Sequence, residues 1–293
     1  MKCIVTGGTG FLGARIVDRL KQNGHQVAVW SRHGTNVSPD GFHAVIHLAG
    51  ETVAQRWNPE VKRRIRESRK QGTHALVDAI ARASDRPRIL LSTSAIGIYG
   101  DRGDEILTEA SAPGRGFLAD VCKEWESEAD RAQDFGLRVA KFRIGFVLGR
   151  NGGALAKMVP AFKCFAGGRL GSGKQWMPWI HIEDVVGLFI HALNNESVSG
   201  VWNATSPNPV RNADFTRELA CAVHRPALIP VPPFALKLAF GELGQHMLDS
   251  ARVTPQAAQA ANYRFLHPKL APALNDLLGK TQTRPNSRAN FRS

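Results

Sequence analysis

Lys2-Cys3-Ile4-Val5-Thr6-Gly7-Gly8-Thr9-Gly10-Phe11-Leu12-Gly13 decides how the rest of the chain is read. Cys3, Ile4 and Val5 form a short apolar run of the kind a buried parallel strand shows. Gly7, Gly10 and Gly13 follow with G-x-x-G-x-x-G spacing. The first glycine permits a tight turn, the second lets the backbone approach a pyrophosphate, and the third lets a helix pack close on the strand. Phe11, Leu12, Ile16, Val17 and Leu20 then recur at helical period, with Arg15, Asp18, Arg19 and Lys21 between them. A helix starting there points unpaired N–H groups and a partial positive charge at the turn. Strand, glycine turn and helix in that order predict a dinucleotide cradle.

Composition sets outer bounds. The chain has 293 residues, 43% apolar and 22% charged, which is ordinary for a globular protein with a sizeable core. No apolar run approaches the roughly 20 residues of a membrane span. The first strand begins at residue 2, so we expect no signal peptide. Cys3, Cys122, Cys164 and Cys221 are scattered without metal-ligand spacing, which predicts a reducing, cytoplasmic setting and no metal site. The formal net charge is +13, so the placement of the basic residues matters.

Asn23-Gly24 is a helix C-cap signal, and Gln26 to Trp30 reads as the second strand. It ends at Ser31-Arg32, where a fold preferring NAD carries an acid for the ribose 2′-OH. An arginine there accommodates a 2′-phosphate, so NADP(H) is the expected cofactor. Only eleven residues, 33–43, precede the next strand, Ala44 to Leu48. A parallel crossover needs about a dozen or more, so an edge strand is expected to be missing or irregular. Leu48-Ala49-Gly50 leaves that strand with small residues that make room for a flat ligand.

Asn58-Pro59 starts a helix to about Ala83. Lys62, Arg63, Arg64, Arg66, Arg69 and Lys70 make its outer side strongly basic. With no interleaved aromatic residues and no nucleic-acid motif, a solvated face is the expectation and nucleic acid an unlikely partner. Arg88 to Thr93 is a further strand. It runs into Ser94 and Tyr99, hydroxyls beside the expected nicotinamide that are suited to bonding a substrate carbonyl or hydroxyl. Phe117 to Phe135 reads as a helix and Leu137 to Phe142 as the next strand.

By this point the residues resemble the extended short-chain dehydrogenase/reductase superfamily, the NAD(P)-dependent epimerases and dehydratases, and within it the epimerase-like family-39U subfamily. The resemblance rests on the glycine turn, Leu48-Ala49-Gly50-Glu51, Arg56-Trp57, Tyr99-Gly100-Asp101-Arg102-Gly103 and Phe117-Leu118-Ala119 with Trp125-Glu126. Gly152-Gly153-Ala154, Leu170-Gly171-Ser172-Gly173, Trp179-Ile180-His181-Ile182 and Ala204-Thr205-Ser206-Pro207 continue it. It implies an α/β fold: a Rossmann-like, doubly wound parallel sheet with a smaller C-terminal substrate lobe. It also implies NADP(H) contacts at Gly7, Gly10, Phe11, Leu12, Gly13, Ser31, Arg32, Leu48, Ala49 and Gly50. The expected division is residues 1–150 for the cofactor domain, with 179–205 returning to it. Residues 151–280 are expected to be mostly lobe, and 281–293 a disordered basic tail.

The chain departs from the superfamily at its catalytic pair, Tyr-x-x-x-Lys, in which the lysine lowers the tyrosine pKa for proton exchange during hydride transfer. In the matching helix Lys123 follows Ala119 by four and Cys122 follows Leu118 by four, and either register lacks the tyrosine. Ser94, Tyr99 and Lys123 are therefore the candidate catalytic residues. Ile98 stands where relatives tend to carry an aromatic. His181 reads as a structural partner at a domain junction, Asn212 as a helix cap, and Phe234 to Leu248 as an apolar helical lid or lobe core. Two functions fit. One is an NADP(H)-dependent oxidoreductase or epimerase-like enzyme for a small hydroxyl- or carbonyl-bearing, sugar-derived substrate. The other is an NADP(H)-binding redox sensor or interaction module without turnover. A homodimer is the expected assembly on general grounds.

Overall fold

The computed structural model describes residues 1–30 and 38–279. The expectations for Ser31, Arg32 and the tail at 281–293 lie outside the described residues. The N-terminal half alternates strand and helix: β1 (Lys2–Thr6), α1 (Phe11–Gln22), β2 (Gln26–Trp30), β3 (Ala44–His47), α2 (Pro59–Arg82), β4 (Ile89–Ala95), β5 (Ile106–Leu107), α3 (Phe117–Asp130), β6 (Arg138–Ile144) and β7 (Phe146–Gly149). The C-terminal half adds α4 (Gly153–Lys163), β8 (Trp176–Met177), β9 (Trp179–His181), α5 (Ile182–Asn194), β10 (Gly200–Ala204), β11 (Val210–Arg211), α6 (Asn212–Ala222), α7 (Pro233–Phe240), α8 (Leu243–His246), β12 (Arg252–Val253), α9 (Gln256–Ala260) and α10 (Leu270–Leu278).

The central sheet is six-stranded and parallel, in the order β10-β6-β4-β3-β1-β2. β1 pairs with β2 on one side and β3 on the other, so the strand order switches at β1. A crevice at the carboxyl ends of the strands is expected at such a switch. Among the described residues no strand lies outside β2, and the start of the short 33–43 segment lies outside those residues. That length cannot supply a strand–helix unit on the far side of β2 before the chain returns to β3.

Both faces of the sheet are covered. Ile16, Val17 and Leu20 of α1 pack with Val185, Val186 and Phe189 of α5 against one face. Leu76, Val77 and Ile80 of α2 pack with Ala129 of α3 against the other. A separate cluster of Leu155, Phe162, Trp179, Phe215, Leu219 and Leu274 forms a second core in the C-terminal half. Local signals behave as their chemistry requires. Asn58 caps α2 by accepting from Val61 N at 2.8 Å with Pro59 as first helical residue, and Gly24 closes α1 at φ 78°.

Three local expectations differ from the structure. Asn212 is not a cap: it is the first residue of α6, buried, and its Oδ1 accepts from Leu170 N at 2.7 Å. A cross-segment bond has replaced the local one. The helix from Phe117 loses α geometry after Asp130 and finishes as a 3₁₀ turn, Arg131–Phe135. The segment 234–248 is two helices broken at Gly241 (φ 64°). Phe234 and Leu238 there are 74% and 72% exposed, so this face of α7 is surface and not lobe core. No helix among the described residues is long and apolar enough to cross a membrane.

Candidate functional site

The glycine turn has the close approaches its spacing predicts. Gly7 has φ 70°, and a Cβ on it would sit 3.0 Å from Ala49 N. A Cβ on Gly13 would lie 2.1 Å from Gly7 O, so only glycine lets α1 start so near β1. Gly8, outside the triplet read from sequence, is constrained by side chains, since a Cβ would meet Val29 Cγ1 at 2.9 Å. Gly10 differs: its nearest neighbour would be Gly7 O at 3.3 Å, and otherwise its Cβ side is open. It is the N-cap of α1 without a side-chain cap bond, and the first turn carries no acid. The N–H groups of Phe11 and Leu12 therefore face the turn unneutralised, which suits a phosphate. The Phe11 ring turns away and packs on the 149–153 loop, where a Cβ on Gly152 would strike it at 2.2 Å. A cleft of about 1310 Å³ borders the turn, lined by Thr9, Gly10, Phe11, Arg150, Asn151 and Asp276 among others. Arg150 carries no motif signal that would have singled it out.

Beside the glycine turn, at the carboxyl ends of β1 and β3, lies a buried polar ladder. Thr6 Oγ1 lies 2.7 Å from His47 Nδ1, and His47 Nε2 lies 2.9 Å from Thr73 Oγ1. Leu48 N and Ala49 N both donate to Thr6 Oγ1, at 3.2 and 3.3 Å. The hydroxyl proton is thus left for His47 Nδ1, and Nε2–H faces Thr73. The ladder fixes Leu48 and Ala49 beside the glycine turn.

Burial holds the His47 pKa at about 4, against an ordinary 6.5. The folded ring stays neutral while the unfolded chain takes up a proton as pH falls through about 6.5. Stabilisation is therefore complete above about pH 6.5 and lost as pH falls toward 4. The linked loss is on the order of 3 kcal/mol. Urea midpoints measured across that window should fall with acid in the wild type and fall less in His47→Gln. Parallel curves would refute the assignment.

At the carboxyl end of β4 lies a buried network. Ser94 Oγ donates to Glu126 Oε1 at 2.6 Å. Arg143 holds Glu126 through Nε to Oε1 at 2.8 Å and Nη2 to Oε2 at 2.9 Å, a bidentate pair. Arg143 Nη1 donates to the Tyr99 hydroxyl at 3.0 Å. That hydroxyl lies 2.7 Å from Asn203 Oδ1 and 2.9 Å from the Thr108 carbonyl, and so donates to one of them. All five side chains are buried. Burial pushes the Tyr99 phenol above its usual range, outweighing Arg143. That is the opposite of what a proton-exchanging tyrosine needs.

The structure brings Ser94 and Tyr99 into one network and leaves Lys123 out of it. Lys123 is half-exposed and paired with Asp120 at 2.7 Å on the outer side of α3. The face turned to β4 carries Leu118, Cys122 and Glu126, four residues apart. Leu118 packs against Gly97, where an added Cβ would stand 3.1 Å from it. Cys122 meets Ser94 and the Ala95 amide, and burial raises its thiol to about 11, so it is neutral. The Leu118/Cys122 register is thus the one that faces the site. Glu126 and Arg143 were not singled out from the sequence; the i, i+4, i+8 spacing of Leu118, Cys122 and Glu126 was the available signal.

His181 caps α5, its Nδ1 accepting from Glu183 N at 3.2 Å. That leaves the proton on buried Nε2, 3.4 Å from Asp276 Oδ2. His267 stacks on the ring with centroids 3.8 Å apart. The three side chains place ligand-type atoms within 4.8 Å of one another. The His181 tautomer nevertheless offers an N–H there, where a metal would need a lone pair.

The basic side of α2 is matched by carboxylates. Arg63 bonds Glu60 and Glu67 at 2.8 Å, Lys62 pairs with Glu242 at 2.6 Å, and Arg66 and Lys70 both pair with Glu124. These pairs leave little free positive charge on that side.

Comparison with known proteins agrees with this geometry. The NAD dependent epimerase/dehydratase family matches residues 3–204, and a domain of unknown function, DUF1731, matches residues 231–277. The chain is 39% identical over 302 residues to the epimerase family protein SDR39U1 homolog, chloroplastic, of Arabidopsis thaliana, covering 95% of this chain and 87% of that protein. It is 33% identical to the epimerase family protein YfhF of Bacillus subtilis, covering 97% and 100%. The crystal structure of human epimerase family protein SDR39U1 with NADPH superposes with a TM-score of 0.90 at 30% identity, covering 96% of this chain and all of that one. The glycine cradle, the switch at β1 and these relatives together show that the chain belongs to the NAD dependent epimerase/dehydratase family, among its SDR39U1-type members.

Proposed function

We propose that this protein binds NADP(H) across the carboxyl edge of its sheet. There it acts as an oxidoreductase or epimerase-like enzyme on a small hydroxyl- or carbonyl-bearing substrate admitted between sheet and lobe. The observation that carries the cofactor half is the turn itself: Gly13 closed against Gly7 O, Gly10 open, and an acid-free first turn of α1. The human relative crystallised with NADPH supports the phosphorylated cofactor. When bound, the nicotinamide supplies or accepts hydride. The chain's own residues orient it: Phe11 and Leu12 N–H groups at the phosphates, and Leu48 to Gly50 along one side. Four free cysteines are consistent with a reducing, cytoplasmic setting.

A second reading, an NADP(H)-binding module without turnover, is favoured by one observation. The face of α3 toward β4 offers apolar Leu118 and neutral Cys122, and the Tyr99 hydroxyl is fully engaged. NADPH binding, followed by NADPH oxidation and by product analysis for epimerised sugars across a panel of carbonyl compounds and nucleotide sugars, separates the two. Turnover supports the enzyme, and binding with no turnover supports the module.

Either way, Tyr99 and Lys123 do not act as a pair. Tyr99→Phe should cost about 1–3 kcal/mol by leaving Arg143 Nη1 and one acceptor unpaired. Lys123→Ala should change stability by under about 1 kcal/mol, as an exposed ion pair does. Neither should shift NADPH affinity more than about twofold, a change under 0.5 kcal/mol. Fluorescence titration and thermal melts check both, and a large loss of NADPH affinity in Lys123→Ala would restore it to the site.

A further inference from the structure

Arg69 on α2 is the side chain left over once the networks above are counted. Its guanidinium reaches over the end of β3, where a Cβ on Gly50 would lie 3.4 Å from Cζ and 3.5 Å from Nη1 and Nη2. Nη1 donates to Glu51 O at 3.0 Å and Ile65 O at 3.2 Å, and the group sits over the Trp125 ring at 5.0 Å. Its other N–H groups have no hydrogen-bond partner among the described residues. Nearby carboxylates are engaged elsewhere: Glu51 accepts from Gln55 at 3.1 Å, and Glu126 is held by Arg143 and Ser94. This half-buried, aromatic-backed guanidinium makes no ion pair among the described residues, and burial lowers its pKa even with the Glu51 carboxylate nearby. Such a planar fork suits an oxyanion.

Its place beside Gly50, just past the carboxyl end of β3, says which part of a ligand it meets. In a dinucleotide fold the adenosine ribose lies toward the end of the second strand and the pyrophosphate at the first turn. The sheet order β2-β1-β3-β4 then carries the remaining half across β3 and β4, past Gly50, Ser94 and Cys122.

We infer that Arg69 is an oxyanion-binding residue at the carboxyl end of β3, next to the glycine turn, taking a phosphate oxygen of the cofactor's diphosphate or an acidic group of the substrate. The inference rests on the cofactor reading above. The competing role is a clamp, because Ser68 Oγ accepts from Glu51 N at 2.9 Å and Arg69 donates to Glu51 O. A clamp would affect all ligands alike.

Full-length wild type, Arg69→Gln, Arg69→Lys and Ser68→Ala should be titrated with NADPH and with 2′,5′-ADP, which lacks the diphosphate and the nicotinamide. Melts of the NADP⁺ complexes should be run with and without inorganic phosphate or malonate. If the anion is the cofactor's, Arg69→Gln weakens NADPH about tenfold or more and 2′,5′-ADP by under about twofold, Arg69→Lys retains part of the affinity, and Ser68→Ala is near wild type. If the anion is the substrate's, NADPH affinity holds, but the protection that phosphate or malonate gives the wild-type complex disappears in Arg69→Gln. Unchanged behaviour in every arm overturns the inference, as does equal weakening of both nucleotides shared by Arg69→Gln and Ser68→Ala. A wild type that binds neither nucleotide rejects the cofactor reading instead, and phosphate or malonate protection of the ligand-free protein then decides Arg69 alone.

Discussion

Arg143→Met is expected to destabilise the protein by about 3–5 kcal/mol, because it strands the Glu126 carboxylate in the interior. Arg143 and Glu126 are 6% and 7% exposed, and the pair is bidentate. The guanidinium also supplies the donor that the Tyr99 hydroxyl accepts. Its removal therefore breaks bonds on three elements: Glu126 on α3, Tyr99 in the turn after β4, and through Tyr99 the Asn203 of β10. The melting temperature should fall by roughly 10 °C at this chain length. Arg143→Met combined with Glu126→Leu should recover part of the loss, since apolar replacement of both partners leaves no buried charge. A single-mutant loss under about 1 kcal/mol would mean that water reaches Glu126 and that the network is not closed.

The glycine turn should show the other large effect, and its members should separate. In Gly13→Ala the new methyl meets Gly7 O at 2.1 Å and Gly8 Cα at 2.8 Å, both backbone atoms. Neither can give way as a side chain can, so α1 must shift off β1. The expected cost is at least about 1–3 kcal/mol of stability, with NADPH binding lost alongside. In Gly10→Ala the methyl meets only Gly7 O at 3.3 Å, and φ −75° is ordinary for alanine. Stability should hold while the phosphate's seat is obstructed. Melts of the two variants check the first half of this contrast: a Gly13→Ala protein as stable as wild type would show that the helix is not held against the strand as described.

Much of the fold follows from local signals. Apolar runs, the glycine turn, Asn58-Pro59 and Gly24 each act within a few residues, and each produces its element at the expected place. The cofactor cradle is legible for the same reason, since backbone conformation at Gly7 and Gly13 is written in the absence of a side chain. The proton-handling side is not legible that way. Tyr99 reads as a reactive hydroxyl until Arg143 and Asn203, 44 and 104 residues away, are seen to engage it. Lys123 reads as a partner until the helix phase turns it outward to Asp120. Asn212 reads as a cap until a loop 42 residues distant claims its side chain. Long-range pairing, which no local pattern encodes, decides Tyr99 and Asn212, whereas the phase of α3, carried by Leu118, Cys122 and Glu126, decides Lys123.

The central claim is that the turn from Gly7 to Gly13 seats the diphosphate of NADP(H). The most direct measurement is an NADPH fluorescence titration of wild type and Gly10→Ala, with melts confirming that both are equally folded. Saturable binding is expected for the wild type and an affinity about a hundredfold weaker for Gly10→Ala, a loss near 2.7 kcal/mol. Equal NADPH affinity in two equally stable proteins would contradict it.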